Sequence, residues 1–325
     1  MPKHWSEEKE QVRTSFPILL MLKLIQILPC WTVNMIAFPV ALFYFAFSRR
    51  ARIHVLHFQR QLREFTHGVV PKKISIYRTI LSFSICLIER VSGWLGKAGE
   101  DSILFSDDDI EDYWNSLKAG KGAFLIGSHL GNIDLLRSLA VCSKAGLKKE
   151  IPVTAIMEIK SGERFNATLK KVNPSYELTV IDPEDIGPET IPVFQEKIQR
   201  GEIIVATGDR TSISARNRFI RNSFLGKEAE FPYGVFLIAS LLQIRELYFV
   251  FGLREKTAML NPKNRVHIHK AKTVFQDCGR TERKQKIHEL CGEFAELLEK
   301  YCKEKPYQWY NFFDFWALTE YAGEK

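Results

Sequence analysis

A histidine and a carboxylate stand five positions apart in Gly127-Ser128-His129-Leu130-Gly131-Asn132-Ile133-Asp134. The apolar run before them, Ala123-Phe124-Leu125-Ile126, reads as a buried strand. The run after them, Leu135-Leu136-Arg137-Ser138-Leu139-Ala140, reads as a helix, so the pair lies where strand turns into helix. On one continuous helix the two side chains would point about 140° apart, at about 100° per residue, so they meet only if the chain turns between them. Gly131 permits that turn, Asn132 suits the N-cap, and Asp134 falls in a first helical turn, where the helix dipole favours a negative charge. Such a pair suits general-base chemistry. A neutral imidazole takes a proton from an attacking hydroxyl while the carboxylate fixes its tautomer and steadies the imidazolium. No Gly-x-Ser-x-Gly elbow supplies a serine nucleophile, so the hydroxyl would belong to a bound substrate. Spacing alone serves equally well a core histidine and a capping aspartate that never touch.

The elements that must position these residues alternate from residue 122 onward. Strands are expected at 122–127, 151–157, 178–181, 203–207 and 247–251, with 266–269 as an edge strand. Helices are expected at 132–142, 162–172, 189–200, 232–243 and 281–302. This pattern predicts an α/β fold, a mostly parallel sheet flanked by helices. Ligands in such sheets bind beyond the carboxyl ends of the strands. His129 and Asp209 both lie just past strand ends, which lets them face one crevice. Asp209 opens a cationic loop with Arg210, Arg216, Arg218, Arg221 and Lys227, suited to phosphates or to an acidic partner protein, or simply to solvent. Pro232, in Phe231-Pro232-Tyr233-Gly234, belongs near the first position of a helix. His267 and His269 lack a third ligand for a metal and read as solvated strand residues. Asp107-Asp108-Asp109 reads as a helix start rather than a cation site.

At 325 residues the chain has room for one or two domains, here 1–100 as a membrane-associated helical region and 101–325 as the α/β domain. Residues 24–47 carry no charge but are interrupted by Pro29 and Pro39. That stretch suits a kinked span, a re-entrant pair or a hairpin lying in one leaflet, and also a buried helical subdomain of a soluble protein. Arg49, Arg50 and Arg52 follow, which places the downstream chain on the cytoplasmic side. Amphipathic helices are expected over 50–65 and 75–91. The net charge of +8 points to an anionic partner. No zinc-knuckle, RNP-type or helical-repeat pattern speaks for nucleic acid. The six scattered cysteines, with no C-x-x-C pair, read as reduced packing residues. The aromatic tail Trp309 to Trp316 packs on the core or meets a membrane interface.

Ser128 to Asp134 resembles the H-x4-D/E motif of the lysophospholipid acyltransferase superfamily, and its H-x-G-N form is most similar to the branch of the bacterial lipid A late acyltransferases. The similarity continues through Gly201 to Arg210, Phe224-Leu225-Gly226 and Phe231 to Gly234, and ends in Pro306-Tyr307-Gln308-Trp309. The resemblance implies transfer of a fatty acyl chain from a thioester, on acyl carrier protein or CoA, to a membrane lipid hydroxyl at the cytoplasmic face of the bacterial inner membrane. It implies His129 as general base, Asp134 as its partner and Arg164 at the thioester carbonyl. It places Gly131, Asn132, Gly208, Asp209, Arg210, Gly226 and Pro232 around the substrate. An activated thioester calls for no cofactor and no metal. Where lipid A enzymes carry a basic cluster after the Gln-Trp position, this chain has Phe312, Phe313 and Asp314. That departure points to a less anionic acceptor, of the aryl polyene or ornithine-lipid kind. Two other readings stand beside it: a thioesterase or lipid hydrolase using the same residues on water, and a catalytically silent lipid- or carrier-binding protein.

Overall fold

The computed structural model describes residues 23–94, 103–106, 109–137, 151–157, 179–210, 218–255, 263–276 and 278–316. Its centre is β2 (Ala123–Gly127), buried at every position. β2 pairs in parallel with β5 (Ile203–Thr207) on one side, in a register that sets Gly127 beside Thr207. On its other side it pairs in parallel with β8 (Leu247–Arg254). β3 (Val153–Ile156) and β4 (Thr179–Ile181) extend the sheet beyond β5, again in parallel. β9 (Asn264–Lys270) runs antiparallel to β8, and β1 (Ile103–Phe105) lies parallel to β9, giving the order β1-β9-β8-β2-β5-β3-β4. The mostly parallel sheet of an α/β fold is therefore present.

Successive side chains of a strand face opposite sides, and the two cores follow that period of two. Phe124, Ile126, Ile204, Ala206, Phe249 and Phe251 point into one core with Leu290, Phe294 and Leu298 of α7 (Arg280–Glu304). Leu125, Val205, Tyr248 and Val250 point into the other, with Ile110, Tyr113 and Leu117 of α4 (Ile110–Lys118). Helices α5 (Thr190–Gln199) and α6 (Tyr233–Leu242) bury Phe194 and Phe236 on the α7 side. Sheets buried on both faces read as continuous apolar runs, as β2 and β8 do.

Two expectations are corrected. β9 is not an edge strand, because β1 covers its outer side. Nor are His267 and His269 simply solvated: His269 Nε2 is 2.6 Å from the Tyr301 hydroxyl, and the His267 ring packs against Tyr301. C-terminal to Asp209 lies a hairpin, β6 (Phe219–Phe224) and β7 (Lys227–Pro232), that periodicity does not expose. Its turn takes Leu225 and Gly226 through positive φ, the pairing a tight hairpin favours.

The N-terminal helices are α1 (Cys30–Phe47), α2 (Arg49–Phe65) and α3 (Ile76–Trp94). Val33, Ala37 and Ala41 on one stripe of α1 pack against Ile80, Leu81, Ile85 and Ile88 of α3. Phe58 and Leu62 of α2 join the main core instead. Between α1 and α2 the chain bends by 95°. The Arg52 guanidinium bridges the bend, donating to the carbonyls of Phe45 and Ala46, which the end of α1 leaves without helical partners. Among the described residues no single helix is long and apolar enough to cross a membrane; the bent pair α1 and α2 passes on length and composition together.

Candidate active site

Because β2 and β5 are adjacent, parallel and in register, the residues two beyond each strand end emerge side by side: His129 after Gly127 and Asp209 after Thr207. Gly208 permits the close approach. Its N–H donates to the Gly127 carbonyl at 2.9 Å, and a Cβ there would lie within about 3.0 Å of Ile126 and Phe294. His129 Nδ1 is 2.9 Å from Asp209 Oδ1, and the His129 backbone N–H donates to Asp209 Oδ2 at 2.8 Å. The Trp309 indole N–H donates to the same Oδ2 at 3.1 Å.

Three N–H groups thus converge on a carboxylate whose side chain is 1% exposed. Burial alone would raise the Asp209 carboxyl, but the imidazole, the hydrogen bonds from His129 and the Arg210 charge hold it below the ordinary carboxylate range. An ionised Asp209 can only accept, so Nδ1 carries the ring proton and Nε2 presents a bare lone pair. Burial and then the Arg210 charge lower the His129 pKa, and the Asp209 charge does not reverse the shift. The ring is therefore neutral at pH 7, with Nε2 free of a proton. It is 27% exposed, and Nε2 has no hydrogen-bond partner among the described residues.

The loop carrying His129 is clamped by a segment 180 residues further on. Leu130 bridges to Trp309, the Gly131 N–H donates to the Gln308 carbonyl at 2.8 Å, and the Tyr310 N–H donates to the His129 carbonyl at 3.0 Å. The Gln308 side chain accepts from the Arg254 N–H and donates to the Arg254 carbonyl, both at 2.8 Å, extending the β8 ladder by one side chain. Across from it the Asn132 N–H donates to the Gly252 carbonyl at 2.7 Å. Gly131 has φ +80°, and a Cβ on it would fall 2.1 Å from the Gly252 oxygen, so both the turn and the crossing demand glycine.

The expected pairing of His129 with Asp134 is not found. Asn132 does cap the short 3-10 helix Ile133–Arg137, its Oδ1 accepting from the Asp134 N–H at 3.1 Å. However, the Asp134 carboxylate turns to the Arg90 guanidinium of α3. No hydrogen bond joins it to His129. The physical reason is adjacency: strand pairing carries Asp209 directly to Nδ1, while a cation on α3 claims Asp134.

Arg90 is one of four α3 residues on one helical face that reach the site. Cys86 Sγ donates to the Gly131 carbonyl at 3.7 Å, and burial pushes its thiol up to about 12, so it is no nucleophile. Glu89 Oε1 accepts from Arg254 Nε at 2.6 Å, and Ser82 Oγ meets Arg254 Nη1 at 3.1 Å and the Tyr310 hydroxyl at 2.9 Å. Burial works against the Arg254 charge, but Glu89 together with the Tyr310 and Cys86 side chains outweighs it and holds the guanidinium above its ordinary range.

Arg210 Nη2 donates to the Tyr310 carbonyl at 2.8 Å, and its guanidinium lies over the Phe313 ring. At Gly226 a Cβ would meet Phe65 at 3.0 Å, and Pro232 ends β7 and stands at the N-cap of α6. Arg164 and Arg216 lie outside the described residues. Arg218 lends its backbone carbonyl to the Tyr233 N–H, and the Arg221 side chain pairs with Glu230 across the hairpin, so that cation braces β6 against β7. Trp309, Phe315 and Trp316 are core residues. Cys86, Cys278, Cys291 and Cys302 are free and buried. Among the described residues no group of three or more His, Cys, Asp or Glu is placed to hold a metal ion. A charged cleft of about 810 Å³ on the outer side of α7, lined by Lys272, Lys286 and Glu293, contains none of the His129 group. Trp309 and Gln308, which hold the site together, carry no chemistry of their own; the one signal for them in the sequence is the block Pro306 to Trp309. No protein-family model matches the chain, and no curated protein matches it.

Proposed function

We propose that the chain is a membrane-associated O-acyltransferase that moves a fatty acyl group from a thioester to a lipid hydroxyl, with His129 as general base and Asp209 as the group that orients it. The observation that carries this reading is the His129 Nδ1–Asp209 Oδ1 contact at 2.9 Å, which leaves Nε2 as the unprotonated ring nitrogen at the carboxyl ends of the central strands. The choice of acyl transfer rests on the blocks Ser128–Asp134 and Pro306–Trp309.

In this mechanism Nε2 takes the proton of the acceptor hydroxyl as its oxygen attacks the thioester carbonyl. The tetrahedral intermediate collapses with cleavage of the C–S bond, and the departing thiolate receives the proton back from His129. Arg210, held on the Tyr310 carbonyl, contributes fixed positive charge beside the ring, and Arg164 remains the residue proposed for the carbonyl itself. Removing a general base costs about 10²–10⁴ in rate. Incubating the purified chain with palmitoyl-carrier protein or palmitoyl-CoA and total cell lipids tests the proposal by mass spectrometry. Acyl-lipid product that vanishes in His129→Ala supports it. Free palmitate without acyl-lipid would replace it with the hydrolase reading. Equal carrier binding with and without the acyl chain, and no product at all, would replace it with a silent binding protein.

A further inference from the structure

Among the described residues, the exposed positions of α1 carry no charged or amide side chain. Trp31, Met35, Ile36, Pro39, Val40, Leu42, Phe43, Ala46 and Phe47 are its exposed positions, with Phe43 65% and Phe47 75% exposed. Its inner stripe is already occupied by α3. Exposed apolar faces of this extent mark interaction surfaces. Charge identifies the occupant. Residues 23–94 hold ten Lys/Arg against two Asp/Glu, so the entire +8 of the chain resides in this helical region and the remainder is balanced. Lys23 at one end of the apolar face and Arg49 and Arg50 at the other are exposed. An apolar face collared by cations matches the surface of an anionic bilayer.

We infer that α1 lies in the plane of one anionic leaflet, apolar face down, and does not cross the bilayer. At about 1.5 Å per residue its 18 residues reach about 27 Å, short of a typical core of about 30 Å. More decisive is the packing. α1 is joined along its length to α3, whose other side holds Ser82, Glu89 and Arg90 in polar contact with Tyr310, Arg254 and Asp134. Standing α1 upright would drag those groups to hydrocarbon depth, whereas the 95° bend at Ser48 returns α2 to the main core at once. Docking α1 in plane also fixes the height of the His129 loop above the lipid, because Cys86 and Arg90 of α3 touch Gly131 and Asp134.

The test reads binding rather than turnover, so it fails separately from the acyl-transfer proposal. Full-length chain is floated with phosphatidylcholine vesicles with and without 30% phosphatidylglycerol (about one anionic lipid in three, enough for a strong surface potential). The wild type is expected to float with the anionic vesicles. Val40→Glu/Phe43→Glu should lower that fraction at least tenfold, and Arg49→Glu/Arg50→Glu should remove the preference for phosphatidylglycerol. In membranes of the producing cells, Lys23→Cys and Arg49→Cys should both react with impermeant maleimide from the same side. Labelling from opposite sides overturns the in-plane placement. Failure to float, with a dimer that Val40→Glu/Phe43→Glu dissociates, would assign the face to a second copy of the chain.

Discussion

The Trp309 indole and the Asp209 carboxylate are joined by a 3.1 Å hydrogen bond although 100 residues separate them. Trp309 is 1% exposed, edge-on to Phe58, Phe224 and Phe315, so its N–H is held by the core itself. It donates to the oxygen that also accepts from the His129 backbone, leaving Oδ1 for the imidazole.

Trp309→Phe keeps an aromatic ring and removes one donor. Loss of one such bond to a charged group costs about 1.5–3 kcal/mol. A less stabilised Asp209 carboxylate attracts the imidazolium more strongly, so the acid limb of kcat/KM should move to higher pH. A pH–rate profile that does not move, with stability lost alone, would make Trp309 a packing residue and nothing more.

The lowered pKa of His129 has a consequence for stability. The folded state favours the neutral ring, while the unfolded chain titrates near the ordinary value of about 6.5. This contribution is full above about pH 6.5 and is lost as the pH falls toward the folded value, because the unfolded state binds the proton first. Thermal melting from pH 7.5 down to 5.5 should therefore show a steeper loss for wild type than for His129→Gln. Parallel curves would contradict the buried, neutral ring.

Gly131→Ala meets two penalties, the positive φ and a Cβ 2.1 Å from the Gly252 oxygen. Together they should cost about 3 kcal/mol or more. A urea titration is expected to show that loss, and a normal midpoint would mean that the loop does not cross β8 as described.

Part of this site is legible in the sequence, because its local pieces are. The apolar run before Gly127 marks β2, Gly131 and Asn132 mark the turn and the cap, and two strand ends bring His129 and Asp209 to one crevice. What the sequence conceals is which carboxylate meets the ring. H-x4-D spacing is visible along the chain, while the adjacency of β2 and β5 that brings Asp209 to Nδ1 is not. Nor does anything near Asp134 announce that Arg90, 44 positions earlier, takes its charge. His267 and His269 misled for a related reason: strand alternation shows that they share a face, and cannot show that α7 covers it.

Glu89 and Arg254 form a buried pair between α3 and β8, with side chains 8% and 6% exposed. Glu89→Gln leaves the guanidinium charge without its partner and should cost about 3–5 kcal/mol, whereas replacing both residues by Leu and Met should recover much of it. Chemical denaturation of the single and double variants measures the difference. A single variant as stable as wild type would mean that α3 is not bolted to β8 through this pair.

The most direct comparison sets Asp209→Asn against Asp134→Asn in the acyl-transfer assay. Losing the group that orients the base should cost Asp209→Asn about 10²–10⁴ in kcat. Asp134→Asn should keep turnover within about tenfold, since general-base loss is the larger effect, and its acid limb should move to lower pH as the uncompensated Arg90 charge disfavours the imidazolium. The reverse ranking, with Asp209→Asn near wild-type turnover and Asp134→Asn inactive though folded, would contradict the assignment of Asp209 as the partner of His129.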